Sequence, residues 1–225
     1  MNKTEKLNNL FDRWVKEHKV PETEFFRDGI IYEPDYEKQK QKILFICKEP
    51  NAPANSAIDF REVWQDPEDK KHRFGARICQ WAYGIQDGFR QPYDDCAHEF
   101  DTSAERTDIL KTIAFMNLKK VAGGSEADQE KIQKAVEKDR DFIREEINII
   151  DPDVIVFSGY PENLDTLFGE NGGGLERTDS GYQAALAKVG SGKLIHFWHP
   201  SNLYQNGMMY AHLKCIYESE AFKNL

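Results

Sequence analysis

Three short, largely apolar runs most constrain the fold of this chain. They cover residues 43–47, 154–157 and 194–198, and a glycine or proline follows each run within three residues. Strands that are apolar on both faces are typical of the buried parallel sheets of α/β proteins. A further strand is expected over residues 109–118. The sequence therefore predicts four strands in a parallel sheet.

The segments between these runs have the spacing of amphipathic helices. Residues 4–18 place apolar side chains at intervals of three and four, and a longer helix is expected over 125–150 with Ser125 as its N-cap. A last helix is predicted over 204–218. Helices that connect parallel strands cover both faces of the sheet. We therefore expect an α/β fold, a three-layer αβα sandwich with a central four-stranded parallel sheet.

Length and composition are consistent with one domain. The chain has 225 residues, of which 40% are hydrophobic, enough for a sizeable core. We expect a single domain over residues 1–225, with residues 1–40 forming an N-terminal helix and lead-in. Residues 54–105 are polar and aromatic and predict a long, insertion-like region of loop and helix.

The sequence contains no apolar segment of the roughly 18 residues needed to cross a membrane and no apolar core of a signal peptide. We therefore expect a cytoplasmic protein. The cysteines are scattered, without a C-x-x-C pair, which favours reduced thiols and predicts neither a disulfide framework nor a metal site; they are Cys47, Cys79, Cys96 and Cys215.

The net charge of −9 opposes an extended basic surface for nucleic acid. Any contact with phosphates is therefore expected to be local. The candidates are Lys48, which follows the first strand, and the pair Lys119 and Lys120, which follows the second.

Polar side chains follow three of the predicted strands. Glu49 comes after the first, Asn117 ends the second, and His199 comes after the last. The carboxyl ends of parallel strands meet at one edge of a sheet, where α/β proteins bind their ligands. There a carboxylate can accept a proton from water, an amide can read a donor and acceptor pair, and an imidazole can stabilise a developing anion. The set predicts a hydrolytic site.

At these residues the chain resembles the uracil-DNA glycosylase superfamily. The family's first motif corresponds to Cys47-Lys48-Glu49-Pro50-Asn51, its second-strand asparagine to Asn117, and its His-Pro-Ser-Pro motif to His199-Pro200-Ser201-Asn202. Residues 151–159 also resemble the family's equivalent strand. The four segments occur in the family's order and extend over roughly residues 43–215.

The resemblance implies that a base flipped out of DNA is removed by hydrolysis of its N-glycosidic bond. Glu49 would position or activate water, Asn117 would read the edge of uracil, and His199 would stabilise the departing anion. Leu203 would support base extrusion, as an apolar side chain can. No metal or other cofactor is implied.

The other expected contacts follow from the same comparison. Asn51 stands where the family controls access of the C5 substituent, Ser201 belongs to the last motif, and Phe60 or Trp64 could stack on the base.

The chain also departs from the family pattern. Glu49 is one methylene longer than the family's aspartate, Cys47 replaces a glycine, and Asn202 replaces a proline. Two alternatives stay open: a non-catalytic protein that binds nucleic acid or a nucleobase, and a hydrolase of free nucleosides or modified bases.

Overall fold

The fold is an α/β domain built on one twisted sheet. The computed structural model describes residues 1–65, 73–94, 103–124, 127–169, 176–179, 181 and 185–225. Its strands are β1 (Gly29–Ile30), β2 (Ile43–Cys47), β3 (Ala114–Asn117), β4 (Val154–Phe157), β5 (Glu176–Asp179), β6 (Ala185–Val189) and β7 (Gly192–His196).

The sheet has seven strands among the described residues, in the order β1-β3-β2-β4-β7-β6-β5. The central strands β3, β2, β4 and β7 are parallel, as the apolar runs predict. The expected four-stranded sheet is too small, because β1 adds an antiparallel strand at one edge and β6 and β5 add two at the other. These edge strands lack the long apolar runs that identify central strands.

Helices pack on both faces of the sheet. They are α1 (Lys3–His18), α2 (Glu33–Tyr36), α3 (Phe60–Val63), α4 (Arg73–Asp87), α5 (Ser103–Leu110), α6 (Gln129–Ile150), α7 (Pro161–Phe168), α8 (Asn206–Tyr217) and α9 (Glu220–Lys223). Alternate residues of β2 contribute to two separate apolar clusters. Helices α4 and α8 belong to one cluster, and α1, α6 and α7 to the other.

Two boundaries differ from the sequence prediction by three residues or more, and the last parallel strand and the last long helix differ by at most two. The strand expected over 109–118 begins only at Ala114, because Ile109 and Leu110 end helix α5. The hydroxyl of Thr112 donates to the Ile109 carbonyl at 2.6 Å and stabilises the turn between them. Helix α6 begins at Gln129 and is capped by Asp128. Ser125, the expected cap, lies outside the described residues.

The N-terminal lead-in belongs to the domain. The side chain of Asn2 accepts from the backbone of Glu5 in a capping box at the start of α1, and Leu7, Phe11 and Trp14 are buried. Part of the insertion-like region is described and contains α3 and α4. In the described part of the chain, no helix combines the length and apolar character that a membrane crossing requires.

Candidate functional site

A cavity of about 480 Å³ opens at the carboxyl ends of β2 and β3, beside the turn that follows β7. All the catalytic and base-binding residues expected from the sequence line it: Glu49, Asn51, Phe60, Asn117, His199 and Ser201. This volume lies within the usual range of small-molecule sites.

Aromatic side chains form one wall of the cavity. Trp64 packs on Phe115 with ring centroids 4.5 Å apart, and Phe74 lies 5.9 Å from Phe115. The ring centroids of Phe60 and Phe115 are 5.8 Å apart. Such a wall offers a flat base an apolar surface and ring faces for stacking.

Asn117 lines the cavity and contains a buried hydrogen-bond donor without a partner among the described residues. The residue is 2% exposed, and its Nδ2 has no hydrogen-bond partner among the described residues. Its backbone N–H donates to Asp28 Oδ2 at 2.7 Å, which fixes the end of β3. A buried amide without a partner is costly, so a ligand that brings an acceptor would satisfy it.

His199 is held as a neutral hydrogen-bond donor. Its Nδ1 accepts the backbone N–H of Ser201 at 3.2 Å, so the proton of the neutral ring lies on Nε2. Burial lowers the pKa of His199 to about 4, and the Lys48 ammonium acts in the same direction. The centroid of the imidazole ring lies 5.8 Å from that of the Phe74 ring.

Glu49 is fixed by two contacts. The ammonium of Lys119 lies 2.5 Å from Glu49 Oε2 and also donates to the Ala122 carbonyl at 3.1 Å. Gly123 lies against the carboxylate, since a Cβ at that position would stand 1.9 Å from Glu49 Cδ. The carboxylate therefore lines the cavity with its charge balanced and its orientation restricted.

The expectation that Lys120 contacts a phosphate is wrong, because its side chain is buried and paired in this structure. The residue is 2% exposed, and its Nζ lies 2.5 Å from Asp28 Oδ1 and 2.8 Å from Glu146 Oε2. Burial raises the pKa of Glu146, whereas the neighbouring Lys120 ammonium acts in the opposite direction. Lys120 therefore stabilises the core behind Asn117.

The other residues expected to contact nucleic acid, Lys48, Lys119 and Leu203, are absent from the lining of the cavity. The Lys48 ammonium lies 4.3 Å from the centre of the Tyr160 ring, in a cation–π contact. The Lys119 ammonium is engaged by Glu49, which makes it a poor phosphate contact. Leu203 is 91% exposed, in the turn after His199.

Sequence reasoning missed Arg77, which organises this turn. The arginine is fully buried, and its guanidinium donates to the carbonyls of Pro200, Asn202 and Tyr204 at 2.7 to 3.1 Å. It also donates to the side chain of Asn206. The available signal was the sequence around Arg77, because at helical spacing it shares a face with Phe74 and Trp81, and an arginine on such an apolar face requires partners.

The described residues contain no group of three or more histidine, cysteine, aspartate or glutamate side chains placed to hold a metal ion. Comparison of the chain with protein-family models and with curated proteins gives no match.

Proposed function

We propose that this protein is a glycosylase of the uracil-DNA glycosylase type, with the corresponding three-layer αβα architecture. Its reaction would be hydrolysis of the N-glycosidic bond of uracil or a related base in DNA. The observation that carries the proposal is the convergence of Glu49, Asn117 and His199 on one aromatic-walled cavity.

Asn117 and His199 would recognise the base and stabilise its departure. The free Nδ2 of Asn117 would donate to a carbonyl of the base. As the bond from the base to C1′ breaks, its electron pair passes to the base, and the Nε2–H of His199 would donate to the resulting anion. A neutral imidazole suits this role, because it supplies a donor without a strongly solvated charge.

Glu49 would act on the sugar side. Its carboxylate would orient the attacking water and accept the proton that this water loses when it bonds to C1′. The negative charge of the carboxylate would also stabilise the positive charge that develops on the sugar. Lys119 and Gly123 would keep the carboxylate in place during this step.

An oligonucleotide carrying one uracil tests the proposal. We expect abasic product, and a loss of about 100-fold or more in His199→Ala, as when an oxyanion donor is removed. His212→Ala is the matched control, because His212 contacts Phe197 and is absent from the cavity lining. No product above background, or equal losses in both variants, would refute the catalytic role.

A second candidate is a protein that binds the base without cleaving the bond. The ion pair of Glu49 with Lys119 favours it, since the Lys119 ammonium already occupies Oε2 of the carboxylate that would have to hold the attacking water. Uracil binding that depends on Asn117, without product from DNA or from deoxyuridine, would select this function. Turnover of deoxyuridine but not of the oligonucleotide would select a nucleoside hydrolase.

A further inference from the structure

A second cavity lies beside the N-terminal helix, apart from the candidate site. Its volume is about 700 Å³, within the usual range of ligand sites, and it opens between the start of α1, residues 30–34 and helix α3. Helix α3 separates the two cavities: Phe60 and Val63 line the first, whereas Arg61 and Glu62 line the second. No described residue lines both, so the second cavity requires an explanation of its own.

Arg61 gives the second cavity a buried hydrogen-bond donor. The residue is 8% exposed; its Nε donates to Asp59 Oδ1 at 2.9 Å, and its Nη2 donates to Asn8 Oδ1 at 2.9 Å. Its Nη1 is buried and has no hydrogen-bond partner among the described residues. A buried donor without an acceptor is costly, and the pair with Asp59 already balances the charge of Arg61. A neutral acceptor such as a carbonyl oxygen would therefore satisfy Nη1 best.

The charges around the second cavity oppose an anion and favour a cation. The described lining carries four carboxylates and one cation. Glu33 accepts two backbone N–H groups at the start of α1, and Glu37 pairs with two lysines. Asp59 is engaged by Arg61. Glu62 is exposed and forms no ion pair with another described residue, so its carboxylate is open to a positively charged group of a ligand.

Tyr32 gives the second cavity an exposed ring on a fixed backbone. Its side chain is 40% exposed, and Pro34 also lines the cavity. The backbone N–H of Tyr36 donates to the Tyr32 carbonyl at 3.0 Å, and Gln65 Nε2 donates to the Ile31 carbonyl at 3.0 Å. A fixed backbone reduces the entropy lost on binding. A tyrosine ring can pack on the stem of a lysine and attract its ammonium.

We infer that the second cavity binds a basic peptide segment of a partner protein. One backbone carbonyl of that segment accepts a hydrogen bond from Arg61, and a lysine or arginine side chain packs on Tyr32 and pairs with Glu62. A peptide carries both groups close together, whereas a phosphate or a free carboxylate would face the four carboxylates. An apolar ligand would leave the Arg61 donor unsatisfied. The net charge of −9 favours association with a basic partner.

A peptide titration followed by NMR tests this inference. The probe is the pentapeptide Gly-Lys-Gly-Lys-Gly, acetylated and amidated at its ends, added to the full chain at low salt. The same peptide with glutamate in place of both lysines is the comparison. We expect the lysine peptide to shift the amide signals of Tyr32 and Gln65 and the side-chain N–H signals of Arg61. The glutamate peptide should bind at least about tenfold more weakly, because like charges repel.

Two substitutions separate the second cavity from general charge attraction. Glu62→Gln should weaken binding of the lysine peptide about threefold, as loss of an exposed ion pair does, and Tyr32→Ala should weaken it by a similar factor. Glu162→Gln is the matched control, because Glu162 is exposed on α7 and lines neither cavity. It should leave the affinity unchanged. Equal affinities for the two peptides, equal effects of the two glutamine substitutions, or no shift at Arg61 with millimolar peptide would overturn the inference.

Discussion

The Asp28 carboxylate joins the cavity asparagine to a buried cation: Oδ2 accepts the backbone N–H of Asn117 at 2.7 Å, and Oδ1 lies 2.5 Å from Lys120 Nζ. Lys120→Met would leave Asp28 in the core without its counter-charge. We expect the free energy of unfolding to fall by about 3–5 kcal/mol, the usual cost of breaking a buried pair. Urea denaturation followed by circular dichroism measures it.

Lys131→Met serves as the control for that experiment, since Lys131 forms an exposed pair with Asp128. It should change the stability by less than about 1 kcal/mol. Similar effects of the two substitutions would contradict the buried cluster as a source of stability.

The pKa of His199, lowered to about 4, makes stability depend on pH. Above pH 6.5 the imidazole is neutral in both folded and unfolded chains. As the pH falls from 6.5 to about 4, the unfolded chain gains a proton that the folded protein does not, so His199 lowers the stability by up to about 3 kcal/mol. His199→Gln should abolish this part of the pH dependence, measured as urea midpoints across that range.

Removing the Lys48 charge should raise the pKa of His199, because that ammonium disfavours the imidazolium. Titration of the His199 ring by NMR in Lys48→Gln measures the shift. An unchanged pKa in this variant would show that burial alone sets it, and a lower pKa would contradict the effect of the Lys48 charge.

Gly123→Ala should displace Glu49, because the added methyl would lie 1.9 Å from the carboxylate carbon. If Glu49 orients water, a displacement of about 1 Å costs roughly 100-fold in rate. Product formation from the uracil oligonucleotide measures the loss, and Glu49→Gln should lose at least as much. Full activity in Gly123→Ala would exclude a role for the orientation of Glu49.

Arg77→Met should loosen the turn that carries His199, since the carbonyls of Pro200, Asn202 and Tyr204 would lose their donor. We expect the free energy of unfolding to fall by about 2–4 kcal/mol. Amide exchange at residues 201–206 should also become faster. Arg90→Met, which removes an exposed pair with Asp87, should change neither measurement appreciably.

The parallel centre of the sheet and the lining of the cavity could be predicted because both depend on local pattern. An apolar run such as Ile43–Cys47 identifies a central strand, and the end of that strand places Glu49 at the ligand-binding edge. The start of β3 was harder to predict, because apolar residues such as Ile109 and Leu110 fit either a buried helix or a buried strand.

The charged interior could not be predicted from local pattern. Lys119 and Lys120 are adjacent in sequence, yet one pairs with Glu49 and the other enters the core with Asp28 and Glu146. In the sequence, Glu49 lies 70 residues from Lys119, and Asp28 lies 92 residues from Lys120. Nothing in a lysine pair specifies such distant acceptors, and isolated lysine is usually exposed.

The contacts of Lys120 have a practical consequence for making shorter versions of the protein. Its ammonium lies 5.6 Å from the centre of the Phe11 ring and 5.5 Å from that of Trp14, both on α1. A fragment that started after residue 40 would expose this cation and lose Asp28, leaving β3 without the acceptor that fixes its end. Truncation from the N-terminal side would therefore disturb the candidate site by removing its buried support, although no residue of α1 lines its cavity.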